Sequence, residues 1–103
     1  SVMEYEGIIL DLADASLKAG DKKLELTKNE FKILQLLFEN IGRCVSREEI
    51  MKRLWDNDCF VDDNTLTVNM TRLRKKLESA GIGQMIQTKK GIGYLLGQPG
   101  DGR

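Results

Sequence analysis

The chain has 103 residues, with 16 basic and 16 acidic side chains, two cysteines and no histidine. That length suits one compact domain with a core of its own. No apolar run approaches the length of a membrane span, and two thiols without histidine cannot close a structural zinc site. A cytoplasmic location is therefore the default expectation, and no metal or cofactor is expected. Cys44 and Cys59 are expected to be reduced, small hydrophobes without a redox role.

The zero net charge hides an asymmetry. Residues 1–63 carry 9 basic and 14 acidic side chains, and residues 64–103 carry 7 and 2. Chance segregation produces such splits, but so does a basic binding surface on the C-terminal half.

Both termini are expected to be tails, leaving about residues 5–96 for the fold and 97–103 outside it. In the first segment, Ile8, Leu10 and Leu12 alternate with other residues, as do Leu24 and Leu26 after a turn at Gly20-Asp21. This reads as three or four short antiparallel strands, with a further turn at Ala13-Asp14. The period then changes. Thr27 with Glu30 forms a capping box, and Phe31, Leu34, Leu37, Phe38 and Ile41 follow on one helical stripe before Gly42. Ser46 with Glu49 repeats the device for a second helix, whose apolar side is Ile50, Met51, Leu54 and Trp55. After a short polar loop, Asp62 or Asp63 caps a third helix that runs to about Ala80 and stops at Gly81. Two strand-like runs around Lys90-Gly91-Ile92-Gly93 complete the chain as a β-hairpin.

The third helix carries the functional signal. With Leu66 at zero on a helical wheel, Met70, Leu73 and Leu77 fall at about 40°, 340° and 20° and form the core seam. Thr65, Val68, Arg72 and Lys75 fall at about 260°, 200°, 240° and 180°, facing away, with Asn64 and Thr71 beside them and Asn69 on the flank. No acid lies between Asn64 and Leu77. The helix dipole accounts for Asp62, Asp63 and Lys76 but not for an outward face of short amides and hydroxyls, one valine and cations. Base edges in a DNA major groove account for it. Short Asn and Thr side chains allow close approach, Val68 suits a thymine methyl, and Arg72 suits a guanine or a phosphate. Lys89 and Lys90 stand at a hairpin tip narrowed by two glycines, which suits the negative potential of a minor groove.

These residues resemble the winged-helix effector domains of OmpR/PhoB-type bacterial response regulators. The likeness runs from about Ile8 to Leu96. It is carried by LTKNEFKILQLL, VSREEIMKRLW, VDDNTLTVNMTRLRKKLE and QTKKGIGYLL, the last fitting a Q-T-x-x-G-x-G-Y wing. The third-helix run is most similar to regulators of cell-envelope and antimicrobial-peptide stress in Gram-positive bacteria. The resemblance implies an α+β fold: an N-terminal antiparallel four-stranded sheet, a three-helix core and a C-terminal hairpin wing. By position it implies base-facing roles for Asn64, Thr65, Val68, Asn69 and Arg72. It implies phosphate or minor-groove roles for Ser46, Arg47, Trp55, Thr71, Arg74, Lys75, Thr88, Lys89 and Lys90. The loop Asp56, Asn57, Asp58, Cys59 and Phe60 matches a segment that touches RNA polymerase in some members. A dimer on a direct-repeat DNA operator, from a domain monomeric in isolation, is the corresponding expectation. Many relatives carry arginine where this chain has Asn64 and Thr71, which implies weaker phosphate anchoring here. The phosphorylated receiver domain of such regulators is not expected within these residues.

Two rival classes remain. An enzyme has no catalytic constellation to rest on, since Asp62-Asp63 reads as a cap. A winged-helix protein-interaction module is the stronger rival, because fold does not fix function, but it would favour an apolar or mixed-sign third-helix face.

Overall fold

The computed structural model describes residues 1–55 and 61–102. Four short strands come first: β1 (Val2–Tyr5), β2 (Ile8–Asp11), β3 (Ser16–Ala19) and β4 (Lys22–Glu25). They pair antiparallel in chain order. The register sets Met3 against Leu10, Leu10 against Leu17 and Leu17 against Leu24, so one apolar row crosses the sheet. Side chains alternate between the two faces of a strand, and this row is the one that meets the core.

Helices α1 (Lys28–Glu39), α2 (Arg47–Leu54) and α3 (Asp63–Ser79) follow. Both expected capping boxes are present, Thr27 with Glu30 and Ser46 with Glu49. Asp62 caps α3 by accepting from the Thr65 amide at 2.8 Å. At the other end, Gly81 takes a φ of 77°. The Ile82 amide then donates to the Leu77 carbonyl and the Gly81 amide to that of Glu78, a Schellman closure that supplies partners for the last carbonyls.

The expected hairpin is β6 (Ile86–Lys89) with β7 (Gly93–Leu96), entered from a single 3-10 turn at Gly83–Met85. Its turn is narrow: the Ile92 amide donates to the Lys89 carbonyl at 2.8 Å, and Gly91 adopts a φ of 75°. A two-residue strand β5 (Val45–Ser46) adds to the other edge of β7 and so fastens the hairpin to the start of α2. Gly93 permits this approach, because a Cβ there would lie 1.9 Å from the Val45 carbonyl oxygen.

The core draws Leu10 and Leu17 from the sheet, Ile33, Leu34 and Leu37 from α1, Ile50 and Leu54 from α2, and Leu66, Met70, Leu73 and Leu77 from α3. Glu30 is 2% exposed within it. Its carboxylate accepts from Lys76 Nζ at 2.6 Å, and the same ammonium donates to the Glu25 carbonyl at 2.9 Å. A buried carboxylate of this kind is tolerable because it is both paired and hydrogen-bonded.

Three expectations need correction. The termini are part of the fold: β1 begins at Val2, and the C-terminal segment folds back. The Gly97 and Gly100 amides donate to the Met85 and Gly42 carbonyls, while Tyr5 Oη donates to Asp101 Oδ2 at 2.8 Å. Trp55 does not join the apolar side of α2. The helix ends at Leu54, the backbone turns extended, and the indole is 53% exposed. The α1 stripe is also wider than expected, since Ile33 and Leu36 are buried while Phe31 and Ile41 are only partly so.

Candidate nucleic-acid interface

The outward side of α3 is built as the wheel required. Leu66, Met70, Leu73 and Leu77 are buried beneath it. Asn64, Thr65, Val68, Thr71, Arg72 and Lys75 are exposed, and Asn69 is half-buried. Two of the short polar groups turn back on the helix. Asn69 Nδ2 donates to the Thr65 carbonyl at 2.8 Å, and Thr71 Oγ1 donates to that of Thr67 at 2.9 Å. Each keeps free acceptor capacity, and Asn69 keeps a second amide hydrogen.

Several cations away from this surface face acids: Lys18 with Asp11, Lys23 with Asp14, Arg43 with Glu49 and Arg53 with Glu39. Among the described residues, Arg72, Lys75, Lys89 and Lys90 make no ion pair and no side-chain hydrogen bond. A cation without an internal partner keeps its positive field. At the hairpin tip, Thr88, Lys90, Gly91 and Ile92 are exposed and Lys89 is half-buried. Ile92 is 64% exposed, an apolar tip residue that alternation alone did not single out.

The start of α2 contributes differently. Ser46 Oγ accepts from the Glu49 amide at 3.0 Å, so its hydroxyl hydrogen remains available. Asp62, at the foot of α3, has its carboxyl held below the ordinary range by the Thr65 amide. Trp55 stands exposed beyond α2, at the edge of an apolar cleft lined also by Met51 and Val61.

Two arginines expected on phosphates are turned inward. Arg47 Nε donates to Asp63 Oδ1 at 2.8 Å, Nη1 to Tyr94 Oη at 2.7 Å, and Nη2 to both the Asp63 carbonyl and Thr67 Oγ1. Its guanidinium is held more firmly protonated than usual, first by the bond to Asp63. Arg74 donates to the Ile86 carbonyl at 3.2 Å, and its guanidinium lies 5.8 Å from the Tyr94 ring centroid. On the wheel Arg74 falls about 160° from Arg72, toward the hairpin rather than the solvent. The loop Asp56, Asn57, Asp58, Cys59 and Phe60 lies outside the described residues. Among the described residues, no helix is long and apolar enough to cross a membrane, and no cluster of metal-ligating side chains occurs.

A helical core flanked by a β-hairpin, with the third helix exposed on one side, is the winged-helix class. The family of transcriptional regulatory protein C-terminal domains matches residues 21–96. The response regulator protein GraR of Staphylococcus aureus (strain MRSA252) is 43% identical over 93 residues. That match takes in 90% of this chain but 42% of GraR, so the chain spans less than half the length of that relative. The C-terminal domain of the nisin resistance regulator NsrR, a lantibiotic response regulator, superposes with a TM-score of 0.82 at 42% identity, covering 94% of this chain and 98% of that one. The AdeR DNA-binding domain, solved in complex with an intercistronic region, superposes with a TM-score of 0.81 at 31% identity, covering 93% and 99%. The chain belongs to the C-terminal, winged-helix DNA-binding domain family of OmpR/PhoB-type response regulators.

Proposed function

We propose that this chain binds duplex DNA sequence-specifically as the effector part of a two-component transcriptional regulator, with α3 in the major groove and the β6–β7 wing in the adjacent minor groove. The observation that carries the reading is that α3 holds no acid between Asn64 and Leu77 and presents Arg72 and Lys75 outward without internal partners, with Lys89 and Lys90 likewise unpaired at the wing tip. A helix of 17 residues is about 25 Å long, enough to lie along a groove and present several residues to it.

In this reading Asn64, Thr65, Val68, Asn69 and Arg72 face bases. Asn69 exchanges its bond to the Thr65 carbonyl for an adenine edge, to which Asn binds in bidentate fashion. Ser46, Trp55, Thr71, Lys75 and Thr88 lie along the phosphates, and Lys89 and Lys90 enter the minor groove. Arg47 and Arg74 drop out of the contacting set: the donors of Arg47 are engaged within the protein, and Arg74 is turned to the hairpin, with Nη2 on the Ile86 carbonyl and Nε buried.

A dimer on direct repeats and a contact from residues 56–60 to RNA polymerase belong to the same proposal. The apolar cleft lined by Met51 and Val61 supports a protein contact at that end of α2. The likeness to a nisin resistance regulator supports a place among regulators of cell-envelope and antimicrobial-peptide stress. Selection of bound duplexes from a random pool, followed by footprinting, tests the reading. The expected result is one enriched motif with major-groove protection flanked by minor-groove protection. An unenriched pool would contradict it.

A further inference from the structure

Arg47 sits where α2, α3 and the wing meet. Its guanidinium makes four hydrogen bonds to three residues: Asp63 and Thr67 on α3, and Tyr94 on β7. Asp63 and Thr67 are four apart, so they share one flank of α3. Tyr94 is 7% exposed, and its ring lies 5.8 Å from the guanidinium carbon of Arg47 and, equally, of Arg74. Arg74 then ties a later turn of α3 to the first residue of β6. The helix is thus fastened to the hairpin at two heights through one phenol.

An arginine carries five N–H donors. Four hydrogen bonds leave too little for a forked grip on a phosphate, so a phosphate role would require dismantling this junction. The junction also removes a hazard. Asp63 is 71% exposed on the first turn of α3, beside Asn64, where a bare carboxylate would repel DNA phosphates. The Arg47 guanidinium neutralises it from 2.8 Å.

We propose that Arg47 is a positioning residue: through Asp63, Thr67 and Tyr94 it locks α3 to the wing, so that the two DNA-reading elements move as one body. The proposal rests on the DNA-binding reading above. Its consequence is that base discrimination depends on a residue that touches no base. Groove-reading groups must be held within a fraction of an ångström, and the shared junction supplies that constraint.

The test uses a duplex selected from a random pool by the unaltered protein and a scrambled duplex of equal length. Arg47→Lys keeps the charge but loses the fork. Its cooperative thermal melt confirms folding. The expected outcome is an unchanged slope of log K against log salt, with the ratio of selected to scrambled affinity reduced by about tenfold, the worth of one misaligned base contact. A slope reduced by about one unit with equal weakening on both duplexes would mean a phosphate contact and overturn the proposal. An unchanged ratio overturns it as well. If Arg47→Lys does not fold, Tyr94→Phe decides, because it keeps the buried ring and removes only the hydroxyl. The expected loss in ratio is then about threefold, for one neutral-acceptor bond; no loss refutes the lock. Failure of the unaltered protein to bind any duplex sinks the DNA reading itself. Binding with variants indistinguishable from it sinks the lock alone.

Discussion

Lys75 and Lys76 are chain neighbours on α3 with opposite fates. Lys76 turns under the helix, donates to the buried Glu30 carboxylate at 2.6 Å and joins α3 to α1 and the end of β4. Lys75 stands exposed with no partner among the described residues. The same contrast separates Arg74, engaged at the wing, from Arg72, which faces solvent. Alternation on a single helix thus sorts cations into those that hold the protein together and those left for something outside it. A charge that is paired internally has its field largely cancelled, and one that is unpaired keeps it.

The largest expected effect breaks the internal half of that contrast. Lys76→Met leaves the Glu30 carboxylate buried and unpaired, and should lower stability by about 3 kcal/mol, read as a drop in the denaturant midpoint. The salt dependence of DNA binding should stay as it was. A smaller salt slope in that variant would place Lys76 on the DNA side.

Asn69→Ala probes the outward half. It should relax base preference at one position by about 1–3 kcal/mol, measured on a panel of single-base variants of the selected duplex, with little change in stability. Equal affinities across the panel before and after substitution would remove Asn69 from the reading surface. Lys75→Ala and Lys90→Ala should each weaken binding to all sequences alike and flatten the salt slope by about one unit. Loss confined to one sequence would show a base contact instead.

The smallest effect concerns a place remote from the proposed interface. The hydrogen bond to Asp101 raises the Tyr5 hydroxyl from its ordinary 10.0 to about 12. A phenol whose folded value is raised contributes stability that is fully present below pH 10 and is lost as the pH climbs toward 12. Tyr5→Phe should remove that alkaline decline without touching DNA binding. Parallel declines in the two proteins would deny the Tyr5–Asp101 contact a role.

What could be read in advance follows from the range of the interactions. Capping boxes at Thr27 and Ser46, the Leu66–Leu77 seam and the turn at Gly91 depend on residues a few positions apart, so they were legible in the chain. The folding back of the C-terminal segment was not, because the Tyr5–Asp101 bond that holds it joins residues 96 apart. Nor was β5, which is two residues long and exists only where Gly93 lets β7 approach Val45. The outward residues of α3 were legible because burial of the seam dictates the opposite side. The inward turn of Arg47 was hidden, since its partners lie 16, 20 and 47 residues away. An arginine expected to seek a phosphate is indistinguishable by spacing from one satisfied within the protein.

Equilibrium binding of the selected duplex across a range of salt concentrations tests the central claim most directly. With about 4–6 phosphates neutralised per protomer, log K should fall with log salt at a slope of about −4 to −5, while a scrambled duplex binds more weakly at every concentration. A flat salt dependence, or equal affinity for both duplexes throughout, would contradict the account.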